Sequence, residues 1–208
     1  MRAAVALFLP LCLCAAPKIT FTKTFPGSVP PYVEVTVERN GAAQYKEDPK
    51  DENPLTFQLN QADADAMFTL SDHLDHFQRS LESGLKVANM GAKTFRYEDG
   101  AGEPHEVKFN YSEDLEAKTL LDWFERIAET ERDLIELERS VRFDKLGVQD
   151  AILKVEIARN QKRLVAPEQF LPLLDRVSKS ERYMQMSRDR AGALADSIRA
   201  NRTIQANQ

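Results

Sequence analysis

The chain has 208 residues, a length at which one or two domains are expected. Hydrophobic residues make up 42% of it and charged residues 29%, which is the composition of a globular protein rather than of a disordered or fibrous one. A net charge of −5 lacks the surplus of lysine and arginine that sequence-independent nucleic-acid binding needs, and a mean hydropathy of −0.46 argues against a multi-pass membrane protein.

The N-terminus has the layout of a cleavable secretory signal. Arg2 supplies one positive charge, an uncharged and mostly apolar run follows over residues 3–16, and polar sequence begins at Lys18. A helix of this length spans only about 21 Å, which is shorter than the ~30 Å core of a bilayer. We therefore predict a signal peptide over residues 1–16, with a short buried N-terminal helix as the alternative.

Both cysteines of the chain, Cys12 and Cys14, fall inside this predicted signal. A bacterial lipid anchor needs a small residue directly before the modified cysteine, whereas Leu11 and Leu13 occupy those positions, so the match to a lipid anchor is poor. The mature chain then has no cysteine, and its fold must rest on a hydrophobic core. Because secreted eukaryotic domains often carry disulfides, we expect a bacterial periplasmic or secreted protein.

A hydrophobic period of two dominates residues 17–111, which we predict to form an α+β domain. The domain contains an antiparallel sheet of about five to six strands with one packed helix. The first strand, with Ile19 and Phe21 alternating with threonines, suits a sheet edge. The helix is predicted to begin after the N-cap Asn60 and to end at Gly84. Its core-facing stripe consists of Met67, Leu70, Leu74, Phe77 and Leu81.

The hairpin between the second and third strands can be fixed by matching faces. A two-residue loop would pair Val37 with Gln44, whereas a three-residue loop over residues 39–41 pairs Val37 with Ala43. A slip of one residue moves every side chain to the other face of the sheet, so the register that pairs apolar residues is favoured. We predict the three-residue loop, with Gly41 in the left-handed region.

From residue 112 onward the hydrophobic period changes to 3.6, which predicts an all-helical hairpin or small bundle over residues 112–208. Ser112 is the candidate N-cap of one long helix over about residues 113–146, because nothing breaks the pattern before Gly147. At about 51 Å this helix overhangs the sheet domain, and its apolar stripe from Leu134 to Val141 needs a cover.

A final helix is the predicted cover for this stripe, with self-association or a partner helix as the alternative. Ser178 and Glu181 fit a capping box, which predicts the final helix over about residues 179–200. Residues 148–165 fit either a helix or a strand, and helix is preferred. A short helix is expected over residues 170–177.

The histidines are candidates for a metal site. Residues 72–76 place His73 and His76 beside two aspartates, and such donors must lie close together to bind zinc. On the predicted helix His73 lies at the flank of the apolar stripe and His76 points toward solvent, while His105 begins a separate strand. A solvated polar face explains this cluster, so no metal site is predicted.

A second motif, at residues 89–94, echoes the end of a phosphate-binding loop. Ala92 separates Gly91 from Lys93, and Lys86 stands where the earlier glycine is required, so we reject that loop. The segment is expected to connect into a strand, and a lysine carried by a loop is still able to bind a ligand.

These observations favour a non-enzymatic, exported binding or protein-interaction module. Its ligand, a protein or a small molecule, is unknown, and no catalytic, cofactor-binding or metal-binding residue is predicted. The alternatives are a divergent hydrolase with a site assembled from dispersed residues and a structural envelope-associated protein. A deep pocket between sheet and helices with clustered acidic and basic residues would favour the enzyme. A flat sheet face or an exposed apolar groove would favour the binding module.

Signal cleavage is testable on the native protein. If the signal peptide is removed, mass spectrometry will find an N-terminus at Ala15, Ala16 or Pro17 without attached lipid. Protein with an intact Met1, isolated from the cytoplasm, would contradict the prediction.

Overall fold

The computed structural model describes residues 16–100 and 102–206, with side chains up to residue 201. The predicted signal peptide, apart from Ala16, and both cysteines lie outside the described residues. The fold is α+β, as predicted: a six-stranded antiparallel sheet is followed by a C-terminal helical region.

The sheet and the helices follow one another along the chain with little mixing. The strands are β1 (Lys18–Thr24), β2 (Tyr32–Glu38), β3 (Ala42–Lys46), β4 (Leu55–Gln58), β5 (Ala92–Glu98) and β6 (His105–Phe109). The helices are α1 (Gln61–His73), α2 (Leu115–Phe143), α3 (Val148–Asn160), α4 (Leu171–Ser178) and α5 (Gln185–Ala206), with short 3₁₀ turns at Asp75–Phe77 and Pro167–Phe170.

The strand order is β4-β3-β2-β1-β5-β6, so β1 lies in the middle of the sheet and its prediction as an edge strand is wrong. Ile19 and Phe21 of β1 are buried on the inner face, whereas Thr20 and Thr22 are half-buried on the outer face. The alternation of apolar and hydroxyl residues therefore reflects a sheet that is covered on one face only.

The hairpin between β2 and β3 has the predicted register. Val37 pairs with Ala43 and Val35 with Tyr45, and Gly41 has a φ of +83°. A Cβ on Gly41 would lie 2.6 Å from the carbonyl oxygen of Leu59. Glycine is therefore required there both by the left-handed backbone and by the close approach of the chain after β4.

Helix α1 begins at its predicted cap and ends earlier than predicted. The Asn60 side chain accepts a hydrogen bond from the backbone N–H of Asp63 at 2.8 Å. The helix stops at His73 rather than at Gly84, because residues 75–77 have left-handed φ angles of 53°, 48° and 67°. Phe77 and Leu81 of the predicted apolar stripe lie beyond the end of the helix and are still buried in the core. The spacing of the stripe therefore predicted their burial correctly, although it did not predict where the helix ends.

The first of two hydrophobic cores lies between the inner face of the sheet, α1 and the first half of α2. Phe124 of α2 stacks on Phe21 of β1 with ring centroids 5.2 Å apart, and it contacts Phe95 of β5 at 5.8 Å. Each buried phenylalanine contributes roughly 1.5–3 kcal/mol, so this cluster holds α2 on the sheet.

The second core lies inside the helical region and includes the other half of α2. The helix runs unbroken through both cores, with Ile127 buried in the first and Leu137 in the second. It ends at Phe143 rather than near residue 146. Its N-cap is Asp114, not Ser112, since the Asp114 carboxylate accepts hydrogen bonds from the first turn. The division predicted at residue 111 stays a prediction, because α2 belongs to both cores.

The stripe from Leu134 to Val141 is covered mainly by α3 and α4 rather than by the final helix. The preferred helical reading of residues 148–165 is confirmed over most of that range by α3. Helix α5 packs on α4 and α3 and begins at Gln185, not at residue 179. The predicted capping box is wrong because Ser178 still belongs to α4. None of the described helices is both long and apolar enough to cross a membrane.

A buried acid lies on α2 between the two cores. Glu131 is 1% exposed, and its Oε1 accepts a hydrogen bond from Gln169 at 2.8 Å. Within the described part of the chain its Oε2 has no hydrogen-bond partner. Burial raises the pKa of Glu131 from its ordinary value of 4.5 to about 7.

Because the pKa of Glu131 is raised, we predict that the free energy of unfolding falls as the pH rises. Between pH 4.5 and about 7 the folded chain keeps the Glu131 proton that the unfolded chain releases, so the free energy of unfolding decreases. The total loss is about 3 kcal/mol for a shift of this size. Glu131→Gln removes the charge, and urea denaturation from pH 4.5 to 8 will show a flatter profile and a more stable protein at pH 8.

The matched control for this experiment is Glu138→Gln, which changes an exposed acid on the same helix. An exposed ion pair contributes little, so this variant will keep the wild-type pH profile. Equal pH dependence in the wild type and in Glu131→Gln would show that Glu131 is ionised in the folded protein throughout.

The hairpin turn gives a second stability prediction. Gly41→Ala adds both left-handed strain and a contact with the Leu59 carbonyl, whereas Gly84→Ala adds the strain alone, since nothing lies within 4 Å of its Cβ. Strain alone costs roughly 1–2 kcal/mol. Urea denaturation will show the larger loss of stability for Gly41→Ala, and an equal loss in both variants would contradict the close contact.

Candidate functional site

Several concave surfaces in the described part of the chain carry groups of charged side chains. One of them, here called the junction cleft, has a volume of about 780 Å³ and lies where the sheet, α2 and the C-terminal helices meet. Its charged lining residues are Asp63, Arg126, Arg159, Lys162 and Glu168, and its apolar floor includes Leu59, Leu164 and Ile198.

The cations of the junction cleft differ in their partners, and Arg126 has an acidic one, since its guanidinium lies 4.0 Å from the carboxylate of Asp122. The guanidinium of Arg126 lies 4.4 Å from the centre of the Trp123 ring and donates to the carbonyl of Arg163 at 3.4 Å. Arg159 donates to the carbonyl of Ser197 at 3.3 Å. In the described part of the chain, neither Arg159 nor Lys162 has an acidic partner within 4.0 Å. These two side chains are therefore open to an anionic ligand.

The two acids of the junction cleft differ in environment. Burial raises the pKa of Asp63, while a hydrogen bond from Asn60 and the charge of Arg126 act in the opposite direction. The charge of Glu168 raises the pKa of Asp63 further, so the two carboxylates lie close enough to influence each other. The lining has three cations and two carboxylates, and Asp122 beside it pairs with Arg126, so the cations without an acidic partner in the described chain are Arg159 and Lys162.

A second concave surface, the Lys93 pocket, is smaller, at about 160 Å³. It lies between the β1–β5–β6 side of the sheet and the first turns of α2. Lys93 is 3% exposed, and its Nζ donates to the backbone carbonyls of Asn110 at 2.7 Å and Met90 at 3.4 Å. Burial lowers the pKa of Lys93, and the charge of Lys23 on the next strand lowers it further.

The predicted connection into a strand is confirmed, and Lys93 lies in that strand rather than in the loop before it. β5 begins at Ala92, and Lys93 projects to the inner face of the sheet together with Phe95 and Tyr97. Lys23 occupies the same face of β1 and is the register partner of Lys93. The alternation along each strand already indicated that both lysines lie on the inner face, because each of them stands two residues from a buried phenylalanine. What the sequence does not contain is the pairing of β1 with β5.

The outer face of the sheet is flat and polar, and its charges pair with one another. Lys46 lies 3.1 Å from Glu34, and Lys108 lies 3.1 Å from Glu106. A cleft between sheet and helices and an open sheet face are thus both present.

The histidines are not brought together. His73 pairs with Glu116 on α2 at 2.8 Å, and His76 pairs with Asp72 at 2.9 Å. His105 begins β6 at the end where it pairs with Tyr97. Over residues 16–100 and 102–206, no group of three or more His, Cys, Asp or Glu side chains lies close enough to hold a metal ion.

Comparison with known proteins gives no relative from which a function could be transferred: no protein-family model matches the chain, and no curated protein matches it.

Proposed function

We propose that the protein is an exported, non-enzymatic binding module whose junction cleft holds a polar, negatively charged organic ligand. The observation that carries this proposal is the convergence of Arg159 and Lys162, neither with an acidic partner in the described chain, on a cleft of ligand size. Export rests on the predicted signal peptide, and with it the expectation of a periplasmic or secreted, cysteine-free mature chain.

The cleft offers the contacts that such a ligand needs. Its volume of about 780 Å³ falls within the range of small-molecule sites, which usually combine apolar walls with a few placed polar groups. Arg159 and Lys162 bind the carboxylates of the ligand, and Leu164 and Ile198 cover its carbon skeleton. Because the lining residues come from both cores, a bound ligand would also stabilise their relative position.

Two observations favour the hydrolase alternative, and the first is that the junction cleft lies between sheet and helices and carries acidic and basic residues together, as expected of an enzyme. The second is that Asp63 and Glu168 are neighbouring carboxylates, and the pKa of Asp63 is raised, an arrangement that separates acid and base roles in some hydrolases. We prefer binding because Arg126 opposes the rise in the pKa of Asp63 and because Arg159 and Lys162 have no acidic partner in the described chain. Substitution of Asp63 distinguishes the two functions: the variant would lose a hydrolase activity but bind anions more tightly.

The proposal is tested by NMR titration of the mature protein with citrate, glutarate and inorganic phosphate at low salt. Saturable shift changes at residues of the junction cleft are expected for the organic anions. Removing one charge-assisted hydrogen bond weakens binding about tenfold, so Arg159→Gln and Lys162→Gln will each reduce the affinity for citrate by that order. Asp63→Asn will increase it.

Lys108→Gln is the matched control, since Lys108 lies on the outer face of the sheet in an ion pair with Glu106. It removes the same charge from the chain without touching the junction cleft. If Lys108→Gln weakens citrate binding as much as Lys162→Gln does, only net charge matters and the cleft is not the site. Absence of saturable shifts with every probe would favour the structural, envelope-associated alternative.

A further inference from the structure

We propose that Lys93 is a reactive amine that captures a small oxo acid as an imine inside the Lys93 pocket. An oxo acid carries a carbonyl group, which an amine attacks, and a carboxylate, which neighbouring cations attract. This site is separate from the junction cleft, and the inference goes beyond the proposed function.

The surroundings of Lys93 are unusual for a buried lysine. Lysine is almost never fully buried unless it is paired with an acid, yet Lys93 is 3% exposed and has no carboxylate within 4.0 Å among the described residues. Its two hydrogen bonds go to the neutral carbonyls of Asn110 and Met90. In the uncharged amine these two hydrogen bonds use both N–H groups. The lone pair of the nitrogen is then left for reaction.

The charged groups around Lys93 act in opposite directions: Lys23 favours its uncharged form, whereas Glu125 and Glu82 favour the charged form. Lys23 faces it from β1, Lys118 and Glu125 face the pocket from α2, and Glu82 acts from the segment before β5. Glu125 lies 3.8 Å from Lys23, so its charge is shared with another cation. Burial and a second cation are the two conditions that produce nucleophilic lysines, and Lys93 meets both.

The size and lining of the pocket select the class of ligand. A cavity of about 150 Å³ accommodates a molecule such as benzene, and the Lys93 pocket has about 160 Å³. Met90, Phe109 and Leu121 provide its apolar surface. Lys23 and Lys118 also line it, and they supply positive charge for a carboxylate. A carbonyl compound of the size of pyruvate meets these requirements.

The reaction is balanced without an oxidant or a reductant. The lone pair of Nζ forms a bond to the carbonyl carbon, and the π electrons of the carbonyl move to its oxygen. A proton passes from nitrogen to that oxygen and gives a carbinolamine. A second proton transfer releases the oxygen as water while the carbon–nitrogen double bond forms. The products are one imine and one water molecule.

The test is reductive trapping on the full mature chain. The protein is incubated with pyruvate and sodium cyanoborohydride, which reduces an imine to a stable secondary amine, and peptide mass spectrometry locates the product. Because burial and the charge of Lys23 lower the pKa of Lys93, more of its amine is uncharged at neutral pH, so we expect Lys93 to be labelled faster than the exposed lysines. Lys108 and Lys50 in the same molecule serve as references.

Two variants separate reactivity from a structural role. Lys93→Gln has a neutral amide donor and no nucleophilic amine, so it will lose the fast-labelling site without burying an unpaired charge. Lys23→Gln removes the attraction for the carboxylate. It will therefore lower the ratio of the pyruvate rate to the rate with butanal, a neutral carbonyl compound, whereas Lys108→Gln will leave that ratio unchanged.

The proposal has clear contrary results. If Lys93 is labelled no faster than Lys108 and Lys50, it is a structural lysine and the proposal is overturned. If Lys93 is labelled fast but equally by pyruvate and butanal, and Lys23→Gln does not change their ratio, the assignment to oxo acids is overturned.

Discussion

The structure depends on α2 burying two different apolar surfaces along one continuous helix. The sheet has a polar outer face, so its inner face must be covered, and Phe124 and Ile127 provide much of that cover. Further along the same helix, Leu137 and Val141 close the core of the C-terminal helices. Because the helix is unbroken over 29 residues, about 43 Å, the two cores cannot shift independently along it.

Both candidate sites follow from this arrangement, since residues of α2 line each of them. Arg126 borders the junction cleft, and Leu121 borders the Lys93 pocket. The loop after α3 is held near the cleft by the buried hydroxyl of Thr130, which accepts a hydrogen bond from the backbone N–H of Val165 at 3.1 Å. Gln169 reaches the buried Glu131 from the next turn. Polar residues in the middle of α2 thus shape the cleft.

Local features of the fold were predictable from sequence, because a few neighbouring residues determine them. Gly41 and the alternating valines before it were enough to fix the hairpin register, and Asn60 was enough to fix the start of α1. The end of α1 was not predictable, because residues 75–77 are held in a left-handed conformation while the chain beyond them still packs on the core.

Features that depend on the order of strands and helices in space could also not be predicted from the sequence. The sequence around β1 does not show that this strand lies between β2 and β5. It therefore does not show that Lys23 lies beside Lys93. The prediction that the final helix covers the apolar stripe of α2 was wrong for the same reason. Its apolar residues demand a partner, but α3, α4 and α5 all carry suitable stripes, and the connection after Phe143 is what turns α3 back onto α2.

Local charge, rather than the charge of the whole chain, determines which ligands the two sites attract. The chain has a net charge of −5, which on its own disfavours the approach of an anion. Yet Arg159 and Lys162 in the junction cleft have no acidic partner in the described chain, and Lys23 and Lys118 line the Lys93 pocket with one acid, Glu125. At physiological salt, charges more than about 8 Å away are largely screened, so the groups that line each site matter more than the distant acids. The proposed binding of a small anion at either site therefore depends on these local charges and not on the net charge of the chain.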